Sequence, residues 1–281
     1  MAIRDAGPFS SPSFGSLQLP SRVDRRISRG LVGSFAFVLL WTALARQVPT
    51  YLLPTPLAVG QAFVVEATTP ATYALPVLGT ELTLTSLAVV LLQSLTHYLP
   101  GLFLGVGVGV PLGVALAWWE TIDQYVSPVV GLLRPIPPLA WMGLVIVWVG
   151  IGHAGAAVIV AIGSLWITFF AAYGGVRELP PKLLEAGRSL GVDTDREMLR
   201  AIVLPGAAAP ILTGVRTSIG RSWMIVVAAE LFGAPGIGYR IIHTAQSLAM
   251  DVSMAYMLAL GLAYLLSDAA FGSLRRRVTP W

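Results

Sequence analysis

Cysteine is absent from this chain of 281 residues, which excludes disulfides and thiolate metal sites. Charge is scarce too. Only 11% of the residues are Asp, Glu, Lys or Arg, against about 25% in an ordinary soluble domain. Lysine occurs once, at Lys182, so the net charge of +4 rests on arginine. With 56% hydrophobic residues and a mean hydropathy of +0.76, much of the surface must face lipid. In such a chain a basic balance marks loops on the cytoplasmic side of a membrane rather than a nucleic-acid site. No Gly-x-x-x-x-Gly-Lys-Ser/Thr phosphate loop occurs. His97, His153 and His243 lie far apart and share no metal-ligand spacing.

What is present is a series of long apolar stretches. A bilayer core roughly 30 Å thick needs about 20 helical residues. Spans are expected over about 30–48, 98–118, 138–150, 154–173, 209–232 and 252–272. The fold class is therefore an all-α polytopic membrane protein of about six helices. The run from Leu82 to Trp119 is too long for one span, so it is divided near His97 and Pro100, leaving a separate helix over 80–95. Pro135-Ile136-Pro137-Pro138 breaks the helix before the third span, because proline lacks a donor and its ring clashes with the preceding turn. Residues 1–29, rich in Ser, Pro and Arg, read as a disordered cytoplasmic tail. They lack the apolar core and cleavage site of a signal peptide. The membrane domain is expected over 30–277, with a short tail at 278–281.

Arginine placement orients the chain. Arg22, Arg25, Arg26 and Arg29 precede the first span, and Arg275 to Arg277 follow the last. Arg177, Lys182, Arg188, Arg196 and Arg200 lie between spans four and five, whereas only Arg46 and Arg240 fall clearly on the other side. The positive-inside rule then puts both termini and the 174–207 loop in the cytoplasm. An odd number of spans breaks this agreement.

Gly101, Gly105, Gly109 and Gly113 recur every four residues and so share one helix face. Small residues at this spacing let transmembrane helices approach closely. No strand precedes them, which argues against a nucleotide-binding glycine run.

The cytoplasmic loop has the marks of a structured hairpin, over about 178–205. Pro180 and Pro181 suit the first turn of a helix from Lys182 to Leu190. Gly191 supplies a left-handed terminus. Thr194 and Glu197 have capping-box spacing for a second helix, expected to stop at Pro205. Small residues at Ala186, Gly187 and Gly191 let the backbone sit deep in a partner's groove, with Glu185 and Arg188 at its rim. A merely solvated, well-capped hairpin fits the same residues.

Glu185-Ala186-Gly187-Arg188-Ser189-Leu190-Gly191, followed by Ile202-Val203-Leu204-Pro205, resembles the signature of permease subunits of binding-protein-dependent importers of the ATP-binding cassette class. Leu133 to Trp141, Val147 to Gly152, Thr213 to Arg216 and Val227 to Glu230 resemble the branch that handles nitrate, sulfonates, taurine and bicarbonate. Gly187 replaces the motif's alanine, and Gly191 to Pro205 is one residue longer than its usual spacing. The resemblance implies a type I importer permease fold in a bacterial inner membrane, assembled as a homodimer of permease copies with two ATPase subunits and an extracytoplasmic binding protein. It implies that the ATPases dock on Lys182, Leu183, Glu185, Ala186, Gly187, Arg188 and Gly191. It further implies no cofactor or catalytic residue on this chain, since ATP and magnesium would be bound by the partner subunits.

Within the spans, Arg221, Glu230, Trp141 and Trp223 are candidates for the translocation pathway. Glu230 must face a cavity, a partner or the interface, because an ionisable group in lipid is costly. A contact to another helix or the outer loop is favoured for it, ahead of a gate or pathway wall and ahead of the binding-protein interface. Arg221 favours a small anionic solute, though pairing with a carboxylate or carbonyls fits as well, and the tryptophans fit packing. Related permeases carry aromatic heterocycles, which keeps a vitamin precursor as an alternative. An intramembrane enzyme is disfavoured because the spans show no His-Glu or Ser-His arrangement. A secondary carrier is disfavoured because no internal repeat is visible.

Overall fold

A computed structural model describes residues 21–74 and 81–278. The chain begins with α1 (Ser21–Ala45), α2 (Pro56–Thr68), and an antiparallel hairpin of β1 (Pro70–Ala74) and β2 (Glu81–Thr85) in which Thr72 faces Thr83. Next come α3 (Ser86–Trp118), α4 (Glu120–Leu133), a 3₁₀ turn over Pro138–Trp141, α5 (Met142–Val149) and α6 (His153–Arg177). The chain continues with α7 (Pro181–Ser189), α8 (Asp195–Met198), a π turn over Leu199–Val203, α9 (Leu204–Glu230), α10 (Ile237–Gln246) and α11 (Met250–Val278).

Among the described residues four helices are long and apolar enough to cross a membrane: α3, α6, the run from Asp195 to Glu230, and α11. The α4 and 138–149 segments are apolar enough together for a broken crossing or a re-entrant loop, bent by 89° at the proline break. The apolar part of α1, Gly30–Ala45, is shorter, so six crossings require both the bent pair and α1 to span.

Four sequence expectations need correction. Residues 82–119 are not two helices. α3 runs unbroken through Pro100 and Pro111, because neighbouring helices compensate for missing backbone bonds in a membrane bundle. Residues 21–29 of the expected tail belong to α1, while residues 1–20 lie outside the described residues. Residues 81–85, expected at the start of the 80–95 helix, instead form β2, where Thr83 and Thr85 suit strand geometry. Pro205 does not stop the second hairpin helix. It occupies the first turn of α9, directly after the π turn.

The core forms around α6, which packs between α3 and α9. On α3 the four-residue glycine stripe makes this contact. A Cβ at Gly105 would lie 2.4 Å from Ser164 Cβ and 2.6 Å from the Ala161 carbonyl, and one at Gly109 would lie 2.6 Å from the Leu165 carbonyl. The helices therefore meet backbone to backbone. On its other side α6 meets α9 through Ser164 and Ser222, whose hydroxyls are 2.8 Å apart. Tyr98 ties α3 to α9 by donating to the Ile219 carbonyl at 3.0 Å while stacking on Trp223. At one end of the bundle Asp123 of α4 accepts from Tyr173 and Arg177 of α6.

Gly105→Leu should therefore force α3 away from α6, where overpacking a tight core costs about 1–3 kcal/mol or more. The expected result is a lower thermal midpoint in detergent. Gly107→Ala, at a position with nothing within 4 Å, should unfold like the parent chain.

Candidate functional site

The hairpin over residues 178–205 is a folded unit. Pro180 and Pro181 open α7. At its end the Val192 amide donates to the Gly187 carbonyl at 3.1 Å and the Gly191 amide to the Arg188 carbonyl at 3.0 Å. Those two bonds close a left-handed terminus, and Gly191 has φ +84°, a region glycine enters without strain. Thr194 then accepts from the Glu197 amide at 3.3 Å and starts the second helix. Met198 and Val203 are buried with Val114 of α3 and Ala172 and Val176 of α6, so the hairpin is rooted in the membrane bundle.

α7 divides its residues between two faces. Lys182, Leu183, Glu185, Ala186 and Arg188 are exposed, and Leu190, at the tip, is 84% exposed. Gly187 is buried and points the other way. A Cβ there would meet Ile202 Cδ1 at 2.1 Å and Met198 Sδ at 3.2 Å. Its small size thus serves the packing of α7 on the second helix, which corrects the expectation that it meets a partner at closest approach. Leu190 was not singled out from sequence, although an apolar residue beside a helix-terminating glycine is a visible signal. The π turn over Leu199–Val203 explains the motif's extra residue, because a π turn accommodates one more residue in a continuing helix.

The four pathway candidates separate in space. Arg221 and Trp223 line an open groove of ≈ 660 Å³ between α9 and α11, together with Arg216, Tyr264 and Asp268. Arg216 is held there by two hydrogen bonds to Asp268, at 2.6 and 2.7 Å. Arg221 makes no hydrogen bond or ion pair among the described residues. Trp223 is mostly a packing residue. It is 2% exposed, stacks on Tyr98 and donates to Ser267 at 3.2 Å. Trp141 packs beside Met142 and Ile159, away from that groove, and its buried indole N–H has no partner among the described residues.

Glu230 does not face a groove. It is fully buried, and its Oε1 lies 2.6 Å from His97 Nε2. Its Oε2 accepts from the Gly238 amide in the first turn of α10. A Cβ at Gly236 would lie 2.2 Å from the carboxylate, so the loop before α10 wraps closely around it. His97 Nδ1 in turn sits 3.1 Å from His153 Nδ1. The spans therefore do hold a His-Glu pair, which spacing in the sequence did not reveal. The available signal was chemical: an ionisable residue in an apolar span requires a partner, and the histidines were the polar groups at hand. Among the described residues no cluster of three or more side chains is arranged to hold a metal ion.

Residues 105–281 match the family of binding-protein-dependent transport system inner membrane components. A putative ABC transporter permease of Methanocaldococcus jannaschii is 34% identical over 190 residues, covering 67% of this chain and 71% of the relative. The taurine transport system permease protein TauC of Escherichia coli K12 is 33% identical over 192 residues, covering 68% and 70%. A chain of the inward-facing MetNI methionine ABC transporter superposes with a TM-score of 0.59 at 24% identity, covering 67% of this chain and 94% of that one.

The inward position of Gly187 has a direct test. Gly187→Ala should destabilise the hairpin by displacing Ile202, at a cost of about 1–3 kcal/mol. Ile202→Val in the same chain should recover most of that loss. A double-mutant cycle of thermal stability measures the coupling, and purely additive effects would show that the two residues do not touch.

Proposed function

Because the chain belongs to the family of binding-protein-dependent transport system inner membrane components, as an ABC importer permease similar to taurine, sulfonate and nitrate permeases, we propose that it forms the pathway for a small anion delivered by an external binding protein. ATP is hydrolysed on separate subunits, which dock on the α7 hairpin. Two copies of the chain build the pathway. The hairpin and both termini lie in the cytoplasm, and α1 completes six crossings.

The observation that carries this reading is the form of the hairpin. Its backbone is closed by paired terminal hydrogen bonds, its root is buried in the bundle, and its tip presents Leu190 in the open. An exposed leucine on a rigid tip gains by burial in a partner, worth about 1.5–3 kcal/mol when complete. Rigidity matters equally, since only a stiff hairpin transmits a push from the ATPase into the spans. The anion is supported by Arg221, a guanidinium without a partner among the described residues in an open groove of a spanning helix.

Leu190→Asp should abolish co-purification of the cognate ATPase while leaving the chain's own thermal midpoint unchanged, because the side chain touches solvent. Retained, ligand-stimulated ATP hydrolysis in vesicles would place the docking surface elsewhere. Arg221→Gln should lower uptake of the anion by about tenfold, the scale of one lost charge-assisted hydrogen bond, with ATPase binding intact. Orientation is checked on this cysteine-free chain with Gly272→Cys and Ser247→Cys. An impermeant thiol reagent outside cells should label only the second.

A further inference from the structure

At the end of the bundle opposite the hairpin, three ionisable side chains from three different spans join in one hydrogen-bonded chain. Glu230 closes α9, His97 lies within α3, and His153 is the first residue of α6. Glu230 and His97 are fully buried, while His153 is partly exposed and touches the exposed Thr96. The first turn of α10 is tied to the same place. Its Gly238 amide donates to Glu230, and its Ile237 amide donates to Ser94 of α3 at 2.9 Å.

The partners assign the protons. An ionised Glu230 only accepts, and His97 then donates to it from Nε2. Thr96 donates its hydroxyl proton to the Gln93 carbonyl at 2.6 Å and so accepts from His153 Nδ1. His153 Nδ1–H then also points at His97 Nδ1, 3.1 Å away, which is a bare lone pair when His97 is neutral. The arrangement is satisfied with both rings neutral. It survives one added proton, on the outer nitrogen of His153. It does not survive a second. With both rings charged, each Nδ1 bears a hydrogen, and the two face each other with no lone pair between them.

Among the described residues, no other ionisable side chain hydrogen-bonds to Glu230, His97 or His153. On α10, Arg240 lies against Tyr256 of α11 and Glu66 of α2, and His243 stacks on Tyr239. α11 adds Asp251 in its first turn, and α5 contains no ionisable residue. The balance of charge at the junction therefore rests on Glu230 and the two rings.

We propose that Glu230, His97 and His153 form a proton-binding latch that holds the ends of α3, α6 and α9 together and releases the His97–His153 contact at this end of α3 and α6 when both histidines are protonated. That this end faces the exterior rests on the orientation proposed above; the chemistry of the latch does not. Acid outside the cell would then loosen the junction on which α10 is seated, while the His97–Glu230 pair, now oppositely charged, keeps α3 on α9.

The absence of native cysteine makes the test direct. Spin labels on Leu92→Cys and Ala154→Cys report the separation of α3 and α6 at this end, in the full chain assembled with its ATPase in nanodiscs. The distance should lengthen as the pH is lowered from 7.5 to 5. His153→Phe should hold one distance at both values. Glu230→Gln should move the transition to lower pH, since the carboxylate stabilises the charged His97 ring. Histidine labelled with ¹⁵N gives a second reading, because the chain has three histidines. At neutral pH His97 should appear as the Nε2–H tautomer and His153 as Nδ1–H. A pH-independent distance, a change that persists in His153→Phe, or neutral rings that both bear hydrogen on Nε2 would each overturn the latch. Nanodiscs expose both faces, so an error in orientation would leave these results unchanged and would show only in the thiol-labelling pattern.

Discussion

The contact between α3 and α6 is the constraint from which the rest of the structure follows. In lipid, helices gain little from hydrophobic burial against each other, so close backbone approach and dispersion hold them together. Gly101, Gly105, Gly109 and Gly113 leave a groove along α3 in which α6 lies, with the carbonyls of Ala157, Ala161, Leu165 and Phe169 where side chains would otherwise stand. Once α6 is seated, its opposite face is available to α9. Small hydroxyl residues, Ser164 and Ser222, keep that second contact close as well.

This arrangement brings together groups at both ends of the bundle. At one end, Val114 of α3 and Val176 of α6 enclose Met198 and Val203, the root of the hairpin. At the other, the same two helices bring His97 to His153. The run from Asp195 to Glu230 connects the ends. It begins in the hairpin, passes the groove at Arg221, and finishes at the buried carboxylate. At about 1.5 Å per residue its 36 residues extend over roughly 54 Å. A displacement of the hairpin tip therefore acts on one continuous element that also bears the proposed anion-binding arginine and the carboxylate that meets His97. The π turn lies within that run and sets the angular register between the hairpin and the span.

Polar groups inside the bundle have been used sparingly and near the element ends. Arg216 pairs with Asp268, Asp123 meets Arg177, and Glu230 meets His97. Each joins two helices that are not consecutive in the chain. Arg221 differs in having no such partner among the described residues, and it differs also in facing an open groove. An arginine left in this state is costly in a membrane unless a solute, water or second subunit meets it.

Local chemistry was sufficient to specify much of this protein from sequence. Apolar length locates most of the spans, the proline cluster at 135–138 breaks a helix, and Gly191 with Thr194 ends one hairpin helix and starts the next. These features depend on residues within a few positions of one another. The glycine stripe also announced a close helix contact, though not which helix would fill it. Three matters were settled only by the tertiary structure. Pro100 and Pro111 do not divide α3, because packing partners override a local breaker. Gly187 turns inward, because Ile202, fifteen positions later, returns to the same place. Glu230 finds His97 across 133 positions of sequence. No periodicity links such residues. Their meeting follows from which helix faces lie together, and that depends on side-chain volume along whole helices rather than on any local motif.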